Sequence, residues 1–260
     1  MAKKEAEKFI ASDIMEGMIS VRAVIRGNES GTNDRRIEKI IYDGARAKAK
    51  AKELSYLRAM GYKYGFPVEA TDAEQIEALA LGTSHGGILA LCSPRNLREV
   101  DAENISENGF YVMLEGIEDP YNFGYCLRSL YAAGVSGVIV ERRNWTGAAG
   151  IVARASAGAS EMADMRISDD FAATAAVFRK KGYKFAVADK SERSKSIYDC
   201  QLKFPLLLAI GGERRGNTKA ALDMADEIIS LDYGREFSAA LSAASAATVA
   251  AFEIFRQNRK

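Results

Sequence analysis

The sequence predicts an α/β protein: a parallel sheet with helices on both faces in the C-terminal part, preceded by a small, separate α/β domain. Three observations carry that reading. From about residue 107 onward, short β-rich runs alternate with helix-length segments. Those runs are almost continuously apolar rather than alternating, as strands buried on both faces of a parallel sheet require. The first hundred residues differ in texture, and the polar, acidic segment Val100 to Asn108 separates them from the rest.

The elements follow in chain order. In the first domain, residues 1–103, ISVRAVIRG (19–27) and ILALCSP (88–94) read as strands, with helices over 34–62 and 72–81 between them. In the second, residues 107–260, the expected strands are FYVMLEG (110–116), GVIVE (137–141), KFAVAD (184–189), FPLLLAIGG (204–212) and EIISLD (227–232). Helices are expected over 122–134, 169–182 and 218–225, with a last long one from about Phe237. The segment 100–108 is the expected linker.

Composition narrows the class without naming the function. Of the 260 residues, 48% are hydrophobic and 27% charged, the balance of a globular chain rather than a disordered one. A formal net charge of +1 leaves nucleic acid open as a partner, because a polynucleotide needs only a local basic surface. The N-terminal stretch lacks the apolar core of a secretory signal. The Ala-rich end, FSAALSAASAATVAAFEIF, is too diluted by serines, a threonine and Glu253 to span a membrane. A cytoplasmic protein without membrane contact is expected. Cys92, Cys126 and Cys200 show no C-x-x-C spacing, and with a single histidine no metal site is expected.

Two stretches concentrate chemistry. In DPYNFGYCLR, Asp119-Pro120 stops a strand and Asn122 stands where the next helix needs a cap. Gly124 in a helical first turn costs about 1 kcal/mol relative to Ala, which points to close approach of a ligand or another backbone. Arg128, on an otherwise apolar helix, is either half of an ion pair or a functional group. In FPLLLAIGGERRGNTK a buried strand runs straight into Gly211 and Gly212, then Glu213 and Gly216. Ligands of open α/β sheets bind at the carboxyl ends of strands. The spacing nonetheless fits neither the dinucleotide fingerprint nor the P-loop, and a tight strand-to-helix turn is the plain alternative.

These stretches together resemble the SpoU (TrmH-like) branch of the SPOUT methyltransferases, over nearly the whole chain. Asp119, Pro120, Asn122, Gly124 and Arg128 match the first motif of that family; Gly211, Glu213 and Gly216 in AIGGERRG match the second. RASAGASE (154–161) looks like the stretch between them, and GTSHGGILAL (82–91) like the end of a small RNA-binding domain. The third motif departs from the pattern: in ISLDYGREFSAALSAASAA, Leu231 replaces a proline, Ala240 a serine and Ser242 an asparagine.

The resemblance implies a deep trefoil knot, a homodimer, S-adenosylmethionine as cofactor and methylation of a ribose 2′-hydroxyl in RNA, with rRNA preferred over tRNA. It implies catalytic roles for Asn122, Arg128, Glu213 and Ser242, and cofactor contacts, largely main-chain, at Gly211, Gly212, Gly216, Ile229, Leu231 and Leu241. A non-catalytic RNA-binding protein that keeps the fold is the rival reading. Residues 35–63 carry nine Lys or Arg against three acids, so Arg46, Lys48 and Lys52 are candidate phosphate contacts. His85, and Arg142 and Arg143 just before Trp145, are further RNA candidates.

Overall fold

The computed structural model describes residues 14–141 and 148–259. The described residues form two compact units, 14–96 with 148–162, and 97–141 with 163–259.

The first unit opens with β1 (Ile14–Glu16) and α1 (Gly17–Ser30), followed by β2 (Ile37–Asp43), α2 (Ala51–Tyr64), β3 (Val68–Thr71), α3 (Ala73–Leu79) and β4 (Ile88–Cys92). Its sheet runs β1-β4-β2-β3, with only the β2–β3 pair parallel. Two elements of this unit differ from those expected. Residues 19–27, expected as a strand, lie in α1: Val21, Val24 and Ile25 are buried while Arg22 and Arg26, four apart, are exposed, a helical period masked by β-branched residues. The expected helix over 34–62 is a strand over its first part, because IEKIIYD buries Ile40, Ile41 and Tyr42 in the sheet, and Gly44 begins the turn that leads to α2.

In the second unit, β5 (Arg98–Glu99), β6 (Phe110–Glu115), α4 (Pro120–Ala132) and β7 (Gly137–Val140) come first. The helices α5 (Ala149–Ala155) and α6 (Ala159–Met162) belong to the first unit, although in sequence they fall inside the second. There Glu161, 3% exposed, accepts from Arg35 Nε at 3.1 Å and Asn33 Nδ2 at 2.6 Å, so a buried charge is paired and hydrogen-bonded. Gly27 permits this approach, since a Cβ there would meet the Glu161 carbonyl oxygen at 2.0 Å.

The second unit continues with β8 (Met165–Ile167), α7 (Phe171–Lys180), β9 (Lys184–Ala188), β10 (Lys195–Ser196), β11 (Leu206–Gly211), α8 (Lys219–Met224), β12 (Glu227–Ser230) and α9 (Ala243–Asn258). Eight strands run in the order β10-β12-β9-β11-β6-β7-β8-β5, all pairs parallel. The five expected strands are all present. Tyr111, Met113, Leu207 and Ala209 join Phe171, Phe178 and Ala221 in one core cluster, which places α7 and α8 on that face. On the other face α9 packs against α4 and β11 rather than beside β12, and Thr248 Oγ1 donates to Ser129 Oγ at 2.6 Å. The last helix starts at Ala243, not near Phe237: Ser242 is its cap, accepting the Ser245 N–H at 3.2 Å, and residues 231–242 form a loop.

Candidate active site

Parallel pairing brings the carboxyl ends of four strands to one edge of the sheet. Gly211 stands opposite Glu115, and Ala188 lies between Ile210 and Ile229. The loops that follow β6, β11, β9 and β12 therefore leave the sheet together, at the edge where open α/β sheets hold ligands.

Glycines let two of these loops touch. Gly116 has φ +67° and Gly216 φ +62°. A Cβ on Gly212 would lie 2.2 Å from the Gly116 oxygen, and one on Gly211 would lie 2.2 Å from the Gly216 carbonyl carbon. The Gly212 N–H donates to the Glu115 carbonyl at 2.7 Å, and the Gly216 N–H to the Gly212 carbonyl at 2.9 Å. Backbone packed on backbone thus accounts for Gly211 and Gly212 without a ligand. Two polar residues in the same place carry no motif signal. Glu115, buried at the end of β6, accepts the Thr218 N–H at 3.1 Å. Asn217, also buried, donates Nδ2 to the Ala188 carbonyl at 2.6 Å, while its Oδ1 has no partner among the described residues.

Asp119, not Asn122, caps α4. Its carboxylate accepts the Asn122 N–H at 2.8 Å, and Pro120 takes the first helical turn, where a missing N–H costs nothing. The Asn122 side chain is thereby free for another bond, and Nδ2 donates to Glu213 Oε1 at 2.9 Å. That same oxygen accepts the Ala243 N–H at 3.3 Å, at the start of α9. One carboxylate ties α4, the β11 loop and α9 together. A cleft of about 360 Å³ opens beside it, lined by residues 116–120, Asn122, Glu213, Arg214 and Ala243.

The structure does not bring Arg128 to this cluster within one chain. Six residues of α-helix turn through about 600°, leaving Arg128 about 120° from Asn122 around the axis. It is exposed on α4 with Tyr121 and Tyr125, and has no hydrogen bond or ion pair among the described residues. Ser242 is spent on its cap and a 3.1 Å contact with the Ser245 hydroxyl. Of the expected cofactor contacts, Ile229 is buried in β12 with its carbonyl accepting the Asp189 N–H, Leu231 follows it partly buried, and the Leu241 N–H donates to the Tyr233 hydroxyl.

In the first unit Arg46, Lys48 and Lys52 are exposed, although Arg46 also pairs with Asp43 at 3.2 Å. His85, the other RNA candidate of this unit, is 4% exposed; Nδ1 accepts the Gly87 N–H at 3.1 Å and Nε2 faces Glu77 at 3.2 Å. Arg142, Arg143 and Trp145 lie outside the described residues. Among the described residues no group of metal-ligating side chains occurs, and no helix is long and apolar enough to cross a membrane.

Cys126, beneath Asn122 on α4, is buried, and burial together with the negative charge of Glu213 pushes its thiol up to about 12 from an ordinary 9.0. Burial likewise raises Cys200, to about 11. Both thiols stay protonated in the folded protein, so a disulfide reagent at pH 8 is expected to leave them unmodified until urea exposes them. Rapid labelling of the native protein at either cysteine contradicts this. The sign for stability follows: above about pH 9 the unfolded thiols ionise while the folded ones do not, so these groups favour folding below that pH and progressively less above it.

Comparison with known proteins adds independent observations. The profile of the SpoU rRNA Methylase family matches residues 109–252. The 23S rRNA (guanosine-2′-O-)-methyltransferase RlmB of Shewanella oneidensis is 28% identical over 95% of this chain and 98% of its own. The protein of the same name from Haemophilus influenzae is 28% identical over 86% of this chain and 91% of its own. Among solved structures, the SpoU methyltransferase AviRb from Streptomyces viridochromogenes, in complex with the cofactor AdoMet, superposes with a TM-score of 0.74 at 20% identity, covering 94% of this chain and 89% of that one.

Proposed function

The chain belongs to the SpoU rRNA methylase family, and from that premise we propose that it transfers a methyl group from S-adenosylmethionine to a ribose 2′-hydroxyl of ribosomal RNA. The names of its relatives favour a guanosine of 23S rRNA as the acceptor. The observation that carries this reading is the Asn122–Glu213–Ala243 junction, which closes one wall of a cleft at the carboxyl edge of the sheet.

The residues present suit such a cofactor. Buried Asn217 Oδ1, without a partner among the described residues, is an acceptor at the edge where the cofactor's amino groups need one. Main-chain groups of Gly211, Gly212 and Gly216, and of Ile229, Leu231 and Leu241, border the same edge and would hold it. When bound, S-adenosylmethionine supplies a methyl group already activated on a sulfonium. What remains for the protein is to align the ribose oxygen and to favour loss of its proton, and positioning alone is worth several kcal/mol. A guanidinium has no free acceptor near neutral pH, so Arg128 is not a base. It grips the adjacent phosphate and stabilises negative charge developing on the 2′-oxygen. Asn122 and Glu213 keep the cleft wall in place, and Ser242 keeps the α9 terminus beside it. In the first unit, Arg46, Lys48 and Lys52 contact the RNA backbone.

A homodimer is part of the proposal. Tyr121 and Tyr125 on α4 and Phe252 and Phe255 on α9 are 43–47% exposed, an unusual amount of aromatic surface on two packed helices. Arg128 stands on that same α4 face, where a second copy would take it to a cleft. The protein acts in the cytoplasm, where its RNA is. Mass-spectrometric mapping of ribose methylation in cells with and without the protein tests the function. Loss of one 2′-O-methyl mark from 23S rRNA is expected. An unchanged rRNA pattern, or a mark lost from tRNA instead, contradicts the substrate.

A further inference from the structure

The loop between β12 and α9 departs furthest from the family pattern, and one side chain in it, Tyr233, joins both ends of the loop to the loop after β9. The Tyr233 hydroxyl accepts the Leu241 N–H at 3.1 Å. Its ring lies 5.1 Å from the Lys190 ammonium and 6.1 Å from the Phe237 ring. Lys190 also donates to the Phe237 carbonyl at 3.5 Å, and the Ser196 hydroxyl donates to Asp232. Through Tyr233 the loop after β9 is joined to the loop after β12.

Those contacts lead into the candidate site. Leu241 is two residues before Ala243, whose N–H is held by Glu213, which in turn holds Asn122. A hollow of about 420 Å³ is lined by the loop itself, at Asp232, Tyr233, Gly234, Arg235, Phe237 and Leu241. Leu231 stands where a proline would stiffen this segment, so its ordering must come from contacts made in the folded state. Ordering each backbone residue costs about 1–2 kcal/mol, which makes a many-contact anchor consequential for a loop without regular structure.

We propose that Tyr233 is a positioning residue of the methyl-transfer site, bracing residues 231–242 so that the cofactor-facing backbone and the start of α9 are already placed before the cofactor binds. The inference rests on the methyl-transfer reading above. Tyr233 does not touch the reacting atoms; it acts through Leu241 and the α9 terminus.

Tyr233→Phe removes the hydroxyl and keeps the ring contacts. In the cofactor-free variant, hydrogen exchange at the Leu241 amide is expected to rise by about three- to tenfold. The dissociation constant for S-adenosylhomocysteine and the KM for S-adenosylmethionine should rise by a similar factor, with kcat changed less than about twofold. The melting temperature should stay within about 2 °C, since one partly exposed hydroxyl is lost. Tyr233→Ala, which also loses the Lys190 and Phe237 contacts, should weaken binding further. Unchanged Leu241 exchange and unchanged S-adenosylhomocysteine affinity in Tyr233→Phe overturn the proposal. Failure of the unmutated protein to bind S-adenosylhomocysteine would instead sink the methyl-transfer reading, and the exchange result would still judge the brace.

Discussion

Arg128→Ala is expected to lower kcat for methyl transfer to ribosomal RNA by about 10²- to 10³-fold, the cost of removing one preorganised group that stabilises a developing oxyanion. The expectation rests on what surrounds the residue. A structural arginine on a packed helix would carry a carboxylate partner, and exposed Arg128 has none among the described residues. Its removal should therefore leave stability within about 0.5 kcal/mol and the affinity for S-adenosylhomocysteine unchanged, so the loss appears in kcat and in KM for the RNA and not in cofactor binding. Arg128→Lys keeps the charge but not the planar fork, and is expected to fall by about tenfold or more. Near-full activity of the lysine variant would remove the bidentate grip on phosphate from the account. Full activity of the alanine variant would remove Arg128 from the chemistry.

Gly211→Ala is expected to damage the fold and the site together. The added methyl would lie 2.2 Å from the Gly216 carbonyl carbon and 2.4 Å from the Asn217 nitrogen, both main-chain atoms that cannot swing aside as a side chain would. Overpacking of this kind costs about 1–3 kcal/mol or more, and for a chain of this size each kcal/mol lowers the melting temperature by about 2–4 °C. A drop of about 4–10 °C, with S-adenosylhomocysteine binding lost, is the expected outcome by calorimetry and titration. Gly234→Ala is the control: nothing lies within 4 Å of its added methyl, and melting should hardly move. Equal stability of the two variants would show that the loop after β11 does not fold back onto Gly211 as described.

The parallel sheet was legible because two-sided burial writes itself as unbroken apolar runs. FYVMLE and LLLAIG can hardly be anything else. The first unit was harder, and α1 shows why. A helix buried over a wide arc leaves few polar positions to mark its period, and Val and Ile bias the eye toward strand. In the expected helix over 34–62 the lysines drew attention to the exposed α2 and away from the buried strand preceding it. The start of α9 was set too early because the Ala-rich run continues upstream through the loop, whereas the Ser242 cap decides the boundary.

The site was legible in part. Asn122 and Glu213 come together, 91 residues apart in sequence, through nothing local periodicity could reveal. The cap is three residues earlier than expected, since both Asp119 and Asn122 are good capping types and the position of Pro120 in the first turn decides between them. The glycines allowed either room for a ligand or a tight turn with close backbone approach, and at Gly211 and Gly212 backbone takes the space. Glu115 and Asn217 went unnoticed because a buried polar residue at the end of an apolar strand, or after a glycine turn, has no spacing signature. The burial of His85, whose ring nitrogens face Gly87 and Glu77, likewise has no sequence signature.

The central claim is that the loops at the carboxyl edge of the eight-stranded sheet hold the methyl donor. Hydrogen-exchange mass spectrometry of the protein with and without saturating S-adenosylmethionine tests it most directly. Protection should grow in peptides covering 211–218 and 229–243, and remain unchanged in those covering 14–96. No added protection anywhere, or protection confined to 14–96, would contradict the account.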